Sequence, residues 1–190
     1  MKKLIVMLSI AGAAFMSHAA SVYWTCTNVY GGNTTDTVSG IAYFLTTDML
    51  AYADAQALQG KGASAITAAL GSAYSYSGSG GAFGKATTEA VANSTLGLSD
   101  SSTYQAYLMI FDTATVTDDS KFYLTGLKTL ETFSGTETAS VKFGSQKTNS
   151  QSSANWASAS GGGTGGIPEP TSALLLLMGG AMLALRRKQK

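Results

Sequence analysis

The side chains that most often carry out chemistry in proteins are nearly missing from this chain. His18 is the only histidine and Cys26 the only cysteine among 190 residues. His18 lies at the end of an apolar N-terminal leader, so we expect a mature protein without histidine. This excludes Ser-His-Asp and Cys-His catalysis and removes the commonest zinc ligand. A lone cysteine forms no intramolecular disulfide, and Cys26 lies in an alternating stretch that is typical of a buried side chain.

Carboxylates are the remaining route to catalysis, as in glycoside hydrolysis, which uses a pair of them. Asp118 and Asp119 form the densest acidic position. Neighbours on a strand point to opposite faces and aspartate prefers turns, so we predict a turn there rather than a catalytic pair. Asp100, Asp112 and Asp118 could each bind calcium, but they lack the spacing of an EF-hand. The glycine-rich stretch 78–84 lacks the ending of a phosphate loop. We therefore predict a non-enzyme without catalytic, cofactor-binding or metal-binding residues.

Aromatic side chains leave an alternative function open. Tyr74, Tyr76 and Trp156 lie in segments rich in serine, glycine and alanine, where their rings could stack on sugars. The same residue types are equally common in cores and linkers. The alternative function is therefore a secreted carbohydrate-active enzyme, or a glycan-binding module, that uses carboxylates and aromatics. Two glycosylation sequons begin at Asn33 and Asn93, and we expect both asparagines to stay unmodified.

The N-terminus has the three parts of a secretory signal peptide. Positions 2–3 are basic, positions 4–16 are apolar, and Ala19 offers a small residue before a cut. We expect export through the Sec machinery and cleavage by signal peptidase after Ala19. The apolar region is too short for a permanent span. Cys26 is not preceded by the small residues of a lipoprotein signal, so we expect no lipid attachment.

The C-terminal end combines a proline motif, an apolar run and a basic tail. Residues 171–185 carry no charge. As a helix they would be about 22 Å long, somewhat shorter than the ~30 Å hydrocarbon core of a bilayer. The run is followed by a basic stop, formed by Arg186, Arg187 and Lys188. Cations beside a span stay on the cytoplasmic side, so we predict a transmembrane helix over 171–185 with the preceding domain outside. A permanent anchor is the simplest interpretation of this pattern.

A sorting motif stands immediately before the apolar run, at Pro168, Glu169 and Pro170. Motif, run and basic tail, in this order over residues 167–190, resemble the PEP-CTERM sorting signal of Gram-negative bacteria. The resemblance implies recognition by a membrane-embedded exosortase and cleavage near the motif. It also implies a precursor in the inner membrane that is delivered to the cell surface or to an exopolysaccharide matrix. Residues 20–166 carry no motif that identifies a family.

The charge of the part between the two ends argues against nucleic-acid binding. Residues 20–166 contain six lysines, no arginine and ten acidic residues, which gives a net charge of −4. A mildly acidic domain has no basic face with which to neutralise phosphates. We therefore predict no nucleic-acid partner.

Residues 20–144 are long enough for one domain with one core. Alternating or continuous apolar runs predict strands at 22–27, 41–45, 103–111, 121–125 and 139–143. Cap and stop residues predict helices at 48–59, capped by Asp48, and at 63–70, and a helical turn at 87–92. We predict a mainly β fold, antiparallel and sandwich-like, with a small helical insertion, and α+β is the alternative.

The predicted organisation has four parts. They are a signal peptide at 1–19, a β-rich ectodomain at 20–144, a flexible Ser/Gly-rich linker at 145–166 and the sorting signal at 167–190. Within the ectodomain, the glycine- and serine-rich residues 72–84 are predicted to form a loop.

Overall fold

The computed structural model describes residues 19–31, 36–146 and 156–160. The predicted signal peptide before Ala19 and the predicted sorting signal at 167–190 lie outside these residues. In chain order the elements are β1 (Ser21–Thr27), β2 (Gly40–Thr46), α1 (Tyr52–Ala57), α2 (Ala63–Leu70), β3 (Ser75–Gly78), a 3-10 turn (Thr87–Glu89), β4 (Val91–Ala92), β5 (Thr103–Phe111), β6 (Lys121–Leu124), β7 (Lys128–Glu131), β8 (Thr138–Ser145) and β9 (Ala157–Ser158). The prediction of a mainly β chain with a few helices is confirmed.

Two sheets organise the fold. The larger sheet has the order β3-β2-β5-β6-β9, and β7 pairs with the first half of β5. The smaller sheet has the order β4-β1-β8. The sequence predicts a central strand at 41–45, and β2 indeed pairs with β3 on one side and with β5 on the other.

β5 is apolar on both faces because both faces are covered. One face packs with the inner face of the small sheet, through Ala106, Leu108 and Ile110. The opposite face packs with side chains of α1 and α2, through Tyr107, Met109 and Phe111. The large sheet is therefore the middle layer, with the small sheet on one side and the two helices on the other.

The alternation predicted for the first strand is present. Val22, Trp24 and Cys26 of β1 are fully buried, and the residues between them are half-buried or exposed. β8 alternates in the same way, with its buried residues in the same cluster as those of β1.

β1 and β8 form a parallel pair, which corrects the prediction of a purely antiparallel fold. They run in the same direction from Ser21 opposite Thr138 to Thr27 opposite Ser145. Tight turns join only antiparallel neighbours, whereas parallel neighbours need a long connection. Nearly the whole domain lies between β1 and β8 in the chain, so no turn signal in the sequence indicates their pairing.

The predicted cap at Asp48 is wrong, because the helix begins later. The backbone N–H groups of Met49 and Leu50 both donate to the carbonyl of Thr46, which makes a turn at the end of β2. α1 then runs only from Tyr52 to Ala57, and no side chain caps its first turn.

The predicted loop at 72–84 contains a strand, β3. Tyr76 is buried and lies opposite Ala42 of β2. Gly78 ends the strand at a close approach to Phe83, since a Cβ there would lie 2.3 Å from the Phe83 ring. The glycine and serine content that predicts a loop reflects this tight approach and the exposed face of an edge strand.

The flexible linker predicted at 145–166 is also corrected for the part that the structure describes. Ser145 belongs to β8, and Ala157 and Ser158 form β9 at the edge of the large sheet beside β6. Residues 156–160 are therefore part of the folded domain.

α2 occupies the residues that the sequence predicts, and its cap comes from a distant loop. The helix runs from Ala63 to Leu70, buries Ile66 and Leu70, and ends at Gly71 with a positive φ of 51°. Its N-cap, Gly62, has no side chain. The carboxylate of Asp118 instead accepts the backbone N–H of Ala63 at 2.7 Å.

Replacing Asp118 with alanine should therefore lower the free energy of unfolding by about 1 kcal/mol, because a first-turn N–H loses its acceptor. Asp118→Asn should lose less, since the amide oxygen still accepts. The measurement is urea unfolding of the mature chain.

Asp119 provides the matched control, because it is adjacent, equally charged and exposed. Asp119→Ala should change the stability by less than about 0.5 kcal/mol. Equal losses in the two alanine variants would show that the cap contributes nothing specific.

Candidate functional site

The predicted processing residues fall into two groups. The sorting motif and the basic stop lie outside the described residues; they are Pro168, Glu169, Pro170, Arg186, Arg187 and Lys188. Ala19, before the predicted signal cut, is described and exposed.

Ala20 is the first buried residue in the part of the chain that the structure describes. It is 4% exposed, and its carbonyl accepts the backbone N–H of Asn93 at 2.8 Å. The next residue, Ser21, begins β1 and donates its N–H to the carbonyl of Glu137. The predicted cut after Ala19 thus coincides with the first residue held by the domain.

An uncharged cleft of about 360 Å³ opens beside this N-terminal end. Its hydroxyl groups come from Ser21, Thr87, Thr88, Thr136 and Thr138. Ser21 Oγ and Thr138 Oγ1 are 3.1 Å apart and bond to each other. Serine and threonine hydroxyls offer hydrogen bonds but no proton transfer at neutral pH.

A second cleft of about 490 Å³ lies between the end of α2 and the turn at 94–97. Its apolar side chains are those of Met49, Leu70 and Leu96, and the rest of its lining is Ala, Gly, Ser and Thr. No titratable side chain lines either cleft. General acid–base chemistry needs such a group within reach of the substrate, so neither cleft is equipped for it.

Several carboxylates of the domain hold structural positions. Asp118 caps α2, Asp112 accepts the N–H of Lys121 at 2.8 Å, and Asp100 accepts the side-chain amide of Asn93 at 2.8 Å. Among the described residues, no three His, Cys, Asp or Glu side chains come together as a metal site. The adjacent Asp118 and Asp119 lie in a turn, as the sequence predicts.

The aromatic side chains considered for sugar stacking lie in the domain interior. Tyr76 is 8% exposed; its hydroxyl accepts the indole N–H of Trp24 and donates to the carbonyl of Phe83. Tyr74 stacks on Tyr76 with ring centroids 5.9 Å apart. Trp156 is 7% exposed. Tyr76 and Trp156 are therefore too buried to stack on a sugar, and Tyr74 is half-buried against Tyr76.

The fold buries the asparagine of the glycosylation sequon at Asn93. Asn93 is 2% exposed, and its amide nitrogen donates to Asp100 and to the carbonyl of Phe133. A glycan on that nitrogen would have to displace both bonds and open the N-terminal end of the domain.

Residues 156–160 form a segment that we call the C-terminal clasp, and sequence reasoning missed it. Trp156 packs on Tyr123 with centroids 5.8 Å apart, and its indole N–H donates to the carbonyl of Tyr30 at 2.9 Å. Ala159 is fully buried. The sequence contains one indication of this segment, a single tryptophan among Ser, Ala and Asn, because a large aromatic side chain is usually buried rather than solvated.

Comparison of the chain with family models, with curated proteins and with solved structures found no match. Within the residues that the structure describes, no helix has the length and apolar character needed to cross a membrane. The span predicted at 171–185 lies outside those residues.

Cys26 is held as an uncharged thiol. It is fully buried, and burial raises the pKa of its thiol from 9.0 to about 12. A thiolate is the reactive form of cysteine, so this side chain is inert in the folded protein.

The stability of the protein should therefore fall as the pH rises above 9. The unfolded chain releases the thiol proton near pH 9, whereas the folded chain keeps it up to about pH 12, so rising pH favours unfolding. The slope from this group approaches roughly 1.4 kcal/mol per pH unit. Urea unfolding at pH 8 and pH 10 measures it.

Cys26→Ala is the control for this effect. The variant should lose some stability at both pH values because of the missing sulfur, but it should show a smaller fall between them. An unchanged fall would mean that the thiol does not titrate differently in the two states.

Proposed function

We propose that this chain is an exported, non-catalytic cell-surface protein whose C-terminal sorting signal is processed by an exosortase. The precursor is anchored in the inner membrane by the helix at 171–185. The mature protein reaches the cell surface, where an exopolysaccharide matrix is its expected surrounding and partner. Signal peptidase, the Sec machinery and the exosortase are the partners of its maturation.

The observation that carries this proposal is the order of features at 167–190. Pro168, Glu169 and Pro170 precede an uncharged run, which a basic stop follows. A charged, proline-bounded motif directly before an apolar run is expected at the membrane surface, within reach of a membrane-embedded protease.

The extent of the folded domain supports the proposal. The first residue held by the fold is Ala20 and the last described residue is Ser160, which bridges to Lys61. Both lie between the two predicted cuts, so processing would leave every described element in the mature protein. A cut inside a paired strand would instead have to unfold the domain.

The non-catalytic role is supported by the geometry of the domain. No titratable side chain lines either cleft, and Asp100, Asp112 and Asp118 serve as acceptors of backbone or side-chain N–H groups. We also propose a sandwich-like arrangement of the two sheets, because their facing residues share one buried cluster.

Mass spectrometry of the surface form should find an N-terminus at Ala20 and no peptide from residues 171–190. The host must express an exosortase. Replacing both Pro168 and Pro170 with alanine should keep the chain in the membrane fraction with Lys190 intact, because the recognised motif is lost.

The same chain in a host without exosortase is the control, and it should also keep Lys190. Recovery of peptides ending at Lys190 in full yield from surface material of the exosortase host would replace the sorting proposal by a permanent anchor.

A further inference from the structure

The C-terminal clasp is bonded on both of its edges. On one edge, Ser158 pairs with Lys121 of β6. On the other edge, the N–H of Gly60 donates to the carbonyl of Ser158 at 2.9 Å. The N–H of Gly62 donates to the carbonyl of Ala159 at 2.7 Å. The clasp is thus inserted between β6 and the segment that leads into α2.

The clasp also fixes where the chain leaves the domain. The N–H of Ala159 donates to the carbonyl of Ser120, and Ser160 forms an isolated antiparallel β-bridge with Lys61. Phe122 pairs with Phe111, the last residue of β5. Lys121 and Ser120 precede Phe122 on the antiparallel segment, so they lie just beyond the C-terminal end of β5. The exit therefore lies at the C-terminal end of β5.

The N-terminal end of the domain lies at the opposite end of β5. The backbone of Ala20 bonds to Asn93, whose side chain bonds to the carbonyl of Phe133. Phe133 follows β7, in which Glu131 pairs with Thr103, the first residue of β5. β5 has nine residues, and at about 3.3 Å per residue it separates the two ends by roughly 27 Å.

The clasp leaves only a short tether to the sorting motif. Residues 161–167 number seven, and a chain of seven residues spans at most about 25 Å. Without the clasp the tether would begin after Gln146, and it could span up to about 75 Å. The shorter span is below the length of β5, so the exit end stays nearest to the anchor.

We propose that the membrane-anchored precursor stands end-on, with one defined surface towards the membrane and the exosortase. This surface, which we call the exit surface, comprises residues 60–63, the turn at 118–120 and Ser160. The N-terminal end, with Ala20 and the hydroxyl-lined cleft, points away. The inference rests on the proposed anchoring of residues 171–185.

Depth-dependent quenching in membranes tests this orientation. The full precursor carrying Cys26→Ala is reconstituted in phosphatidylethanolamine/phosphatidylglycerol vesicles that contain nitroxide-labelled lipid. A fluorophore is attached at Lys61→Cys, in the exit surface, or at Lys128→Cys. Both positions are exposed lysines, and Lys128 pairs with Ala106 in the half of β5 remote from the exit. Quenching at position 61 should exceed quenching at position 128 at least about threefold.

Two insertions of twelve Gly/Ser residues test the role of the clasp. After Gly163 the insertion lengthens the tether so that it can span up to about 65 Å, and the quenching ratio should fall towards one. After Ser150 the same insertion lies before the clasp, so the ratio should stay unchanged.

The possible outcomes separate the two proposals. If no variant binds the vesicles, the proposed anchoring fails. If all bind but positions 61 and 128 are quenched equally, the end-on orientation is wrong. If both insertions lower the ratio alike, the clasp does not hold the chain.

Discussion

A nine-residue strand that is apolar on both faces has to be covered on both, and this requirement organises the rest of the domain. β5 cannot lie at the surface of a two-layer fold, because either face would expose large apolar side chains to water. The small sheet covers Leu108 and Ile110, and the helices cover Met109 and Phe111. The helical insertion between β2 and β3 is therefore a structural layer in its own right.

Strands near both ends of the described chain complete the two sheets. β1, near the N-terminus, forms the middle of the small sheet and pairs with β8, the last long strand. β9 follows later still and completes the edge of the large sheet. Since these contacts join residues that are far apart in sequence, neither sheet is complete until nearly the whole domain has been synthesised. This order suits the proposed export, in which the chain crosses a membrane unfolded and folds afterwards.

How much of the fold the sequence predicts depends on how local each signal is. α2 and β5 were predicted with their observed bounds, since periodicity and glycine stops lie within the elements themselves. β3, β7 and β9 are short strands of mostly polar or small residues, which become strands only through their neighbours.

The helix caps also show that a signal is predictable only when it is local in sequence. Asp48 has the sequence position of a helix cap but faces no helix start, whereas Asp118 caps α2 from 55 residues away. The same limit holds for functional residues. Composition shows that the chain has one histidine and one cysteine, but the clasp depends on contacts of Trp156 with Tyr30 and Tyr123 that no local pattern contains.

Packing also determines the state of the single cysteine. In an oxidising compartment, which the proposed export implies, a free thiol risks intermolecular disulfides unless it is buried and protonated, and this is the state of Cys26. Burial likewise raises the pKa of the Tyr107 phenol, whose hydroxyl donates to the carbonyl of Leu50. The interior thus contains neutral groups that are bonded or packed. Because Ala20 and Ser160 lie at opposite ends of β5, the proposed cuts before and after them would leave the layers of the domain intact.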